Sequence, residues 1–537
     1  MTETAHIDLF AQRNLPPRAQ WPDLLLGEAG LDYPARMNAA VELLDAMLHK
    51  GYGDAPVLHT EQATATYYQL FVRVNQICAV LRDDLGLVPG NRVLLRGANN
   101  PMMAACLLAV LRCGLVAVPT MPLLRAAELA PIIDKAQVQA ALCDIALADE
   151  MRAARERCPG LRQLLFFNDG SGADDALETR LAGAPTRVAA CDTAADDVAL
   201  IAFTSGTTGK PKGTMHFHRD IIAMCDLFPR HVLRPSDADV FCGTPPLAFT
   251  FGLGGMLCFP MRVGASTLLL ERTTPAGLLA AIERHRVSTV FTAPTFYRQM
   301  AAEAGKFDLG SLRACVSAGE ALPDATRKAF QQATGIRIID GIGATEMIHI
   351  FISSAGDEIR DGAIGKVVPG YEARIVDDQM HTLPVGEVGR LAVRGPTGCR
   401  YLADDRQLQY VRDGWNLTGD TFRMDDDGYF YYQARSDDMI VSAGYNIAGP
   451  EVEDALLRHD AVAECGVIGV PDEARGQIVK AYVVLKPGRR ADAALTRELQ
   501  DWVKGQIAPY KYPRSIEYLD ALPRTETGKL QRFKLRS

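Results

Sequence analysis

The chain carries, directly after the apolar residues 198–203, the segment Thr204-Ser205-Gly206-Thr207-Thr208-Gly209-Lys210-Pro211-Lys212-Gly213. The apolar run predicts a buried strand. The hydroxyls that follow can donate to phosphate oxygens, and the glycines let backbone N–H groups converge on an anion. We therefore expect a strand that leads into a phosphate-binding loop, with Lys212 favoured over Lys210 as the cation that meets the phosphates.

The same segment has two alternative interpretations, a nucleotide P-loop and a flexible linker. The nucleotide P-loop places four residues between its first glycine and Gly-Lys, whereas only two separate Gly206 from Gly209 here, and Pro211 follows the lysine. A flexible Gly/Ser/Thr linker is the second alternative. Two lysines around a proline, directly after a buried strand, argue against a linker and favour an anion-binding loop of another kind.

Further motifs follow in order, and together with the first segment they resemble the signature sequences of adenylate-forming enzymes. That superfamily includes acyl- and aryl-CoA ligases, peptide-synthetase adenylation domains and luciferases. The motifs are Asp340-Gly341-Ile342-Gly343-Ala344-Thr345-Glu346, Leu417-Thr418-Gly419-Asp420, Ala434-Arg435-Ser436-Asp437-Asp438 and Pro523-Arg524-Thr525-Glu526-Thr527-Gly528-Lys529. The resemblance covers almost the whole chain and implies ATP, Mg²⁺ and coenzyme A as the molecules used in the reaction.

Composition narrows the class of protein. With 537 residues and 48% hydrophobic content, the chain predicts a globular protein of two or more domains. The net charge of −8 argues against a nucleic-acid partner. Twelve cysteines without metal-ligand or C-x-x-C spacing favour a reducing cytoplasm. The apolar residues 101–119 are interrupted by Arg112 and Gly114, so no membrane span is expected.

The protein is expected to act as a monomer or homodimer.

Hydrophobic patterning predicts an α/β fold. Short apolar runs at residues 93–95 and 115–118 flank a helical pattern over 102–111, which indicates βαβ units and a parallel sheet. Period-two alternation at 373–376 and 389–394 predicts a β-rich subdomain. We expect a large N-terminal domain, residues 1–434, made of layered α/β subdomains and this β-rich part.

A small mobile α+β domain is predicted for residues 435–537, with a hinge near 435–438. Within it, residues 450–457 predict a helix, and 462–470 and 478–485 predict strands. Residues 504–537 hold eight Lys/Arg against three Asp/Glu. This excess suits contact with a polyphosphate or an acidic partner face, and a solvated helix face is the alternative.

The resemblance implies catalytic roles for Thr204, Glu346 and Lys529, with Glu346 as the Mg²⁺ ligand and Lys529 touching both the carboxylate and the α-phosphate. Asp420 would accept hydrogen bonds from the ribose, Arg435 would lie beside it, and residues 317–320 would flank adenine. A surface acid and an unused tail lysine are the alternatives for Glu346 and Lys529. The implied ATP-binding residues are Thr204, Ser205, Gly206, Thr207, Thr208, Gly209, Lys212, Ala318, Gly319, Glu320, Asp340, Gly341, Ile342, Gly343, Ala344, Thr345, Asp420, Arg435 and Lys529.

The second half-reaction has its own implied residues. Asp437 matches the hinge about which the C-terminal domain would turn between an adenylating and a thioester-forming arrangement. Ser442, Ala443 and Gly444 would then meet coenzyme A, with Gly444 leaving room for its pantetheine arm. An ordinary loop glycine is the alternative at Gly444.

The acid pocket departs from the commonest pattern of the superfamily. Many relatives carry Tyr-Gly at Ile342-Gly343 and histidine at Phe249, and an apolar gate with a flat floor suits a compact aromatic acid. Residues 340–351, 14–22 and 120–126 resemble the benzoate- and 2-aminobenzoate-CoA ligase branch, with 2-aminobenzoate favoured. His349 could bond an ortho substituent, although a histidine between apolar neighbours is more often a core residue. The candidate pocket residues are Phe249, Ala318, Gly319, Ile342, Gly343 and His349.

Other functions stay open on sequence grounds. An adenylation enzyme could load an aryl acid onto a separate carrier protein. A fatty acyl-CoA synthetase would need a long apolar tunnel, and a catalytically inactive nucleotide sensor would not need Lys529, Glu346 and Asp420 together.

Overall fold

A computed structural model describes residues 3–204, 211–435, 438–442, 445–472, 475–507, 509–524 and 530–536. The chain begins with α1 (Phe10–Arg13), α2 (Ala46–His49), the strands β1 (Pro56–His59) and β2 (Thr64–Thr66), and α3 (Tyr67–Ala79). A reciprocal capping box starts α3, because Thr66 Oγ1 accepts from the Gln69 backbone N–H at 3.2 Å while Gln69 Oε1 accepts from that of Thr66 at 2.9 Å.

The first large sheet is built from strands that alternate with helices along the chain, which is the α/β arrangement that the sequence predicts. Its strands are β3 (Arg92–Arg96), β4 (Val116–Thr120), β5 (Ala140–Asp144), β6 (Gln163–Phe167), β7 (Val198–Thr204) and β8 (Lys212–Phe217), in the order β6-β5-β3-β4-β7-β8. All neighbours are parallel except β7 and β8, which pair antiparallel. The helices of this part are α4 (Pro101–Arg112), α5 (Ala126–Ala136), α6 (Ala148–Arg157), α7 (Leu177–Leu181) and α8 (His218–Asp226).

A second sheet recruits β1 and β2. It adds β9 (Val240–Gly243), β10 (Ser266–Leu268), β11 (Thr289–Thr292), β12 (Ala314–Ser317), β13 (Ile339–Gly343), β14 (Ile350–Ser353) and β15 (Lys366–Val367), in the order β15-β14-β13-β12-β11-β9-β10-β1-β2. Its interior pairs are parallel, and β14 and β15 extend it antiparallel. The helices are α9 (Thr250–Leu253), α10 (Phe259–Val263), α11 (Pro275–His285), α12 (Pro294–Glu303) and α13 (Asp324–Thr334).

The β-rich part predicted from alternation forms an antiparallel sheet. Its elements are β16 (Glu372–Val376), β17 (Gly389–Arg394), α14 (Gln407–Tyr410), β18 (Val411–Arg412), β19 (Trp415–Met424) and β20 (Phe430–Arg435). Asp420 on β19 lies opposite Arg435 on β20 in this register.

The C-terminal part builds a separate sheet with its own core. Its elements are β21 (Ile440–Ser442), β22 (Tyr445–Ile447), α15 (Gly449–Leu457), β23 (Val462–Asp472), β24 (Gly476–Leu485), α16 (Ala493–Gln506), β25 (Ser515–Tyr518) and α17 (Arg532–Leu535). The predicted helix and both predicted long strands are present. Apolar residues of α15, α16, β23 and β24 pack together apart from the main core, so we call this part the C-terminal unit. Its boundary at residue 435 and its mobility stay predictions.

Short 3₁₀ and π turns complete the described chain. They are Arg18–Gln20, Val41–Asp45, Val80–Asp84, Ile145–Leu147, Pro229–Leu233, Gly254–Cys258, Ala304–Lys306, Thr345–Met347, Gly356–Glu358 and Pro509–Lys511.

The main core lies between the two large sheets. Helix α4 is buried over most of its length, and its apolar residues join side chains of both sheets in one continuous cluster. All twelve cysteines are free thiols, as expected from their spacing. Searching the described ranges reveals no helix with the length and apolar character that a bilayer crossing needs.

Candidate active site

The predicted phosphate-binding segment begins and ends on paired strands. Thr204 at the end of β7 lies opposite Lys212 at the start of β8. Thr204 Oγ1 is buried, and it has no hydrogen-bond partner within the described part of the chain. The predicted loop residues Ser205, Gly206, Thr207, Thr208, Gly209 and Lys210 lie outside the described residues. The strand pair therefore presents an unengaged hydroxyl and an ammonium at the same end.

A segment from the β-rich side completes the other edge of β8. The Met215 N–H donates to the Arg400 carbonyl at 2.8 Å, and the Leu402 N–H donates to the Gly213 carbonyl at 2.8 Å. This pairing places Tyr401 beside Lys212, and the ammonium donates to the phenol oxygen at 3.1 Å.

Glu346 lies on the 3₁₀ turn that follows β13, facing Lys212 and Tyr401. Its side chain is 9% exposed, so the alternative of a solvated surface acid is wrong. Glu346 Oε1 accepts from the Tyr401 hydroxyl at 2.5 Å and lies 3.5 Å from Lys212 Nζ. The turn itself is fixed from β8, because His216 Nε2 bonds the Thr345 carbonyl at 2.8 Å. Since a carbonyl only accepts, this nitrogen carries the proton, and burial lowers the pKa of His216 to about 4.

The donor set around Glu346 fits Mg²⁺. Magnesium prefers hard oxygen ligands and is usually held by one or two carboxylates together with substrate phosphates. In the regions described, no cluster of three or more His, Cys, Asp or Glu residues could hold a metal ion. A single buried carboxylate beside an ammonium and a free hydroxyl is the kind of site at which a metal arrives with the phosphates.

Asp340 is the second residue of β13 and is buried against Arg327. Its Oδ2 lies 3.7 Å from Arg327 Nη2, and burial raises the pKa of Asp340 to about 7 despite the opposing guanidinium. Its Oδ1 has no hydrogen-bond partner among the described residues. The residues that follow, Gly341, Ile342, Gly343, Ala344 and Thr345, continue along β13 into the turn of Glu346.

Two further predicted segments lie beside this region, because β12 pairs with β13 and the Glu346 carboxylate acts electrostatically on Asp420. Ala318, Gly319 and Glu320 follow β12, and Glu320 Oε2 accepts from Thr295 Oγ1 at 3.1 Å. Asp420 Oδ1 pairs with Arg435 Nη1 at 3.3 Å, and burial raises the pKa of Asp420. Gly419 has φ +78°, and a Cβ there would lie 2.8 Å from Arg435 Nη2, so only glycine suits this position.

The predicted acid pocket centres on His349 in an aromatic cluster. Its ring lies 4.5 Å from Phe259, 5.7 Å from Phe251 and 5.8 Å from Phe228, measured between centroids. Neither ring nitrogen has a partner at hydrogen-bonding geometry in the described structure. Burial lowers the pKa of His349 to about 3, against a smaller opposing effect from the Phe251 carbonyl. A neutral imidazole therefore presents one unsatisfied donor and one unsatisfied acceptor.

Gly343 and Ile342 lie next to this cluster through the β13–β14 turn. A Cβ on Gly343 would stand 2.7 Å from the His349 carbonyl oxygen, so glycine allows the two backbones to approach. Ile342 and Phe249 are half-buried. Gly343 ends β13 and adjoins His349, and the assignment of these residues to an acid pocket stays a prediction.

Some predicted residues of the C-terminal part cannot be placed. Asp437, Ala443, Gly444 and Lys529 lie outside the described residues. Ser442 is buried at the end of β21, and its hydroxyl accepts from Arg475 Nε at 3.3 Å.

An ion-pair network joins the C-terminal unit to the second sheet. Glu464 on β23 lies 3.2 Å from Arg298 Nη2 on α12 and accepts from Arg524 Nη2 at 2.8 Å. Arg524 Nη1 is also 3.8 Å from Glu320 Oε1, and Arg298 donates to the Ala463 carbonyl at 2.7 Å. We call Arg298, Glu320, Glu464 and Arg524 the clasp.

Comparison with known proteins decides the family. Residues 47–401 match the model of the AMP-binding enzyme, and residues 451–529 match that of the AMP-binding enzyme C-terminal domain. The chain belongs to the AMP-binding enzyme family. The recognition made from the motifs is thereby confirmed.

The relatives of this AMP-binding enzyme include ligases of aromatic acids. It is 37% identical to the benzoate–CoA ligase of Thauera aromatica over 94% of this chain and 96% of that protein. The structure of an anthranilate CoA ligase in complex with anthranoyl-AMP superimposes with a TM-score of 0.89 at 35% identity, covering 94% and 98% of the two chains. A benzoate CoA ligase from Burkholderia xenovorans LB400 gives 0.85 at 32% identity, covering 93% and 100%.

Sequence reasoning missed three contributors to the site of this AMP-binding enzyme. Tyr401, His216 and the clasp residue Glu464 contact the predicted residues only through long-range pairing. Nothing in their local sequence marks them, although His216 lies three residues after the segment 204–213.

Proposed function

We propose that the protein is an ATP-dependent aryl-CoA ligase, an acid–thiol ligase that converts an aromatic carboxylic acid to its CoA thioester through an acyl-adenylate, with release of AMP and pyrophosphate. The observation that carries the proposal is the short separation between two unlike sites. Glu346, whose carboxylate contacts Lys212, is only three residues from His349, which lies in an aromatic cluster. An anion site and an aromatic pocket at one strand end suit a mixed anhydride of AMP and an aryl acid.

The polar residues have distinct tasks in this proposal. Thr204 and Lys212 would bind the departing phosphates, with the loop residues 205–209 supplying further donors, and Glu346 would hold Mg²⁺. Bound Mg²⁺ would neutralise charge on the phosphate oxygens as pyrophosphate leaves. Lys529 would contact the acid and the α-phosphate, where an ammonium lowers the repulsion between two anions.

The nucleoside would lie between two walls of the cleft. Ala318, Gly319 and Glu320 and the β13 residues Asp340 to Ala344 would surround adenine, while Asp420 and Arg435 would meet the ribose. An ionised carboxylate accepts from both ribose hydroxyls, and the Arg435 guanidinium favours this charged form of Asp420 while burial opposes it.

The favoured acids are 2-aminobenzoate and benzoate. The aromatic cluster offers ring faces to a flat acid. An ortho amino group could also donate to, or accept from, the unsatisfied imidazole of His349, and leaving buried polar groups unpaired is costly. This favours 2-aminobenzoate over benzoate.

Thioester formation would use the C-terminal unit, residues 435–537. In this part of the proposal, Asp437 is the hinge, and Ser442, Ala443 and Gly444 meet coenzyme A after the unit has turned. The enzyme would act in the cytoplasm, as a monomer or homodimer, where its twelve free thiols stay reduced.

A panel of acids tests the proposal. We expect kcat/KM with ATP and coenzyme A to be greatest for 2-aminobenzoate or benzoate and to fall steeply for hexanoate and octanoate. A preference for the fatty acids would contradict the assignment. Activity with a phosphopantetheinyl carrier protein but not with free coenzyme A would instead indicate carrier loading.

A further inference from the structure

Tyr401 is the feature that the proposed roles leave unused. Its hydroxyl donates to Glu346 Oε1 at 2.5 Å, and the Lys212 ammonium reaches the same two oxygens from 3.1 and 3.5 Å. The two contacts to the Glu346 carboxylate, from the Tyr401 hydroxyl and from the Lys212 ammonium, are both made to Oε1. Within the described residues, no hydrogen bond reaches Oε2, so one carboxylate oxygen is engaged and the other is left for a ligand.

The phenol is held in place from its own backbone and ring. The Tyr401 N–H donates to Gln407 Oε1 at 2.9 Å, and the buried Gln407 amide donates to the Cys399 carbonyl at 3.1 Å. The Tyr401 ring packs edge-on against Tyr410 at 5.8 Å and is 1% exposed. The donor is therefore fixed before any ligand arrives.

The two donors to Glu346, the Lys212 ammonium and the Tyr401 hydroxyl, differ in charge and therefore in how they respond to phosphate. Lys212 is a cation at the start of β8, opposite Thr204, so phosphates bound there would compete with Glu346 for it. Tyr401 is an uncharged phenol donor, whereas Lys212 is a cation. An uncharged phenol is not drawn to an anion by charge, so its hydrogen bond to the Glu346 carboxylate is kept when phosphate binds.

We infer that Tyr401 is a positioning residue for Glu346: its hydroxyl keeps Oε1 fixed when Lys212 turns to phosphate, so that Oε2 meets the metal in one orientation. The inference rests on the proposed function insofar as Glu346 holds the metal. Groups that orient metal ligands in this way commonly contribute 10- to 100-fold to metal affinity.

Binding of Mn²⁺ tests the inference without turnover. The full chain, saturated with the α,β-methylene analogue of ATP, is titrated with Mn²⁺ while the electron paramagnetic resonance signal of free Mn²⁺ is recorded. Tyr401→Phe keeps the ring and removes the hydroxyl, and we expect it to weaken Mn²⁺ binding about tenfold or more. Glu346→Gln should weaken it at least as much.

The matched control is Tyr410→Phe, which removes a buried hydroxyl that has no partner among the described residues. This variant should bind Mn²⁺ like the wild type. Binding of AMP without metal, measured by calorimetry, should be the same for Tyr401→Phe and wild type, since AMP does not require the metal ligand.

Three results would overturn the inference. They are wild-type Mn²⁺ affinity in Tyr401→Phe, equal losses in Tyr401→Phe and Tyr410→Phe, or an equal loss of metal-free AMP binding. If Glu346→Gln left Mn²⁺ affinity unchanged, the metal assignment and the inference would both fall. If the predicted Mn²⁺ pattern held while no aryl acid yielded AMP, the inference would stand and the aryl-CoA ligase proposal would fail.

Discussion

Glu346 and His349, on the phosphate side and the aromatic side of the β13 region, differ in whether their polar atoms have hydrogen-bond partners. On the phosphate side, the Glu346 carboxylate already has Lys212 and Tyr401 as partners. On the aromatic side, both nitrogens of His349 are buried without a hydrogen-bond partner among the described residues. Bound ATP would therefore have to draw Lys212 away from Glu346, whereas a bound acid can supply the hydrogen-bond partner that His349 lacks. Phosphate binding is therefore a competition between charges, and acid binding can gain selectivity from a single hydrogen bond.

The largest effect is expected for Lys529→Ala, which removes the cation proposed for the α-phosphate. Adenylation should slow about 10²-fold or more, because charge on the α-phosphate is no longer balanced. Thioester formation from preformed acyl-adenylate should largely survive. Single-turnover assays of each half-reaction measure both rates, and equal losses in both would count against separate arrangements of the C-terminal unit.

Asp340, on the β13 strand that both sides share, should make the stability of the fold depend on pH. A carboxyl whose pKa is raised in the folded state stabilises the fold below its ordinary pKa and loses that contribution as pH rises toward about 7. Between pH 5 and about 7 the folded state keeps the Asp340 proton while the unfolded state has lost it. Over these roughly two pH units, the free energy of unfolding of the wild type should fall by about 3 kcal/mol through this group, and the loss is complete by pH 8. The buried His216 and His349 have lowered pKa values and act in the opposite direction.

The contribution of Asp340 is isolated by comparing wild type with Asp340→Asn in urea unfolding at pH 5 and pH 8. Asparagine cannot ionise, so the variant should gain stability relative to wild type as pH rises. A gap between the two proteins that is the same at both pH values would refute this account of Asp340.

The aromatic side is tested by His349→Leu. Replacing the imidazole removes the proposed partner of an ortho amino group, so kcat/KM for 2-aminobenzoate should fall about tenfold relative to benzoate. Phe251→Leu is the matched control, because it removes a neighbouring ring without a polar group and should affect both acids alike. If His349→Leu changed both acids equally, the imidazole would be a packing residue only.

The smallest effect is expected at the clasp, which joins the C-terminal unit to Arg298 on α12 and to Glu320 after β12. Glu464 and its partners are about a quarter exposed, with side-chain exposures of 26% and 29% for Glu464 and Arg298, so the ion pairs are partly screened. Glu464→Gln should slow adenylation about threefold and leave thioester formation unchanged, consistent with a contribution below about 1 kcal/mol. Glu498→Gln, in the same unit but paired with His459, is the control.

The sequence predicted the fold class and the recognised motifs well because these depend on local pattern. Apolar periodicity predicted β7, α4 and β23 to within a few residues. The resemblance implied that Glu346, Lys212 and Asp420 serve one nucleotide site, and the structure places Lys212 Nζ 3.5 Å from Glu346 Oε1. It could not predict that Glu346 is buried against Tyr401, since that contact requires residues 400–402 to pair with β8. The clasp was missed for the same reason, because it joins α12 to β23 across 166 residues of chain.

The central claim is that the phosphate site and the aromatic pocket act on one substrate to form an aryl-adenylate. The most direct measurement is exchange of labelled pyrophosphate into ATP by the wild type with Mg²⁺ and each acid, in the absence of coenzyme A. We predict exchange that depends on 2-aminobenzoate or benzoate and is absent without an acid. No exchange with any aromatic acid, under conditions in which ATP binds, would contradict the account.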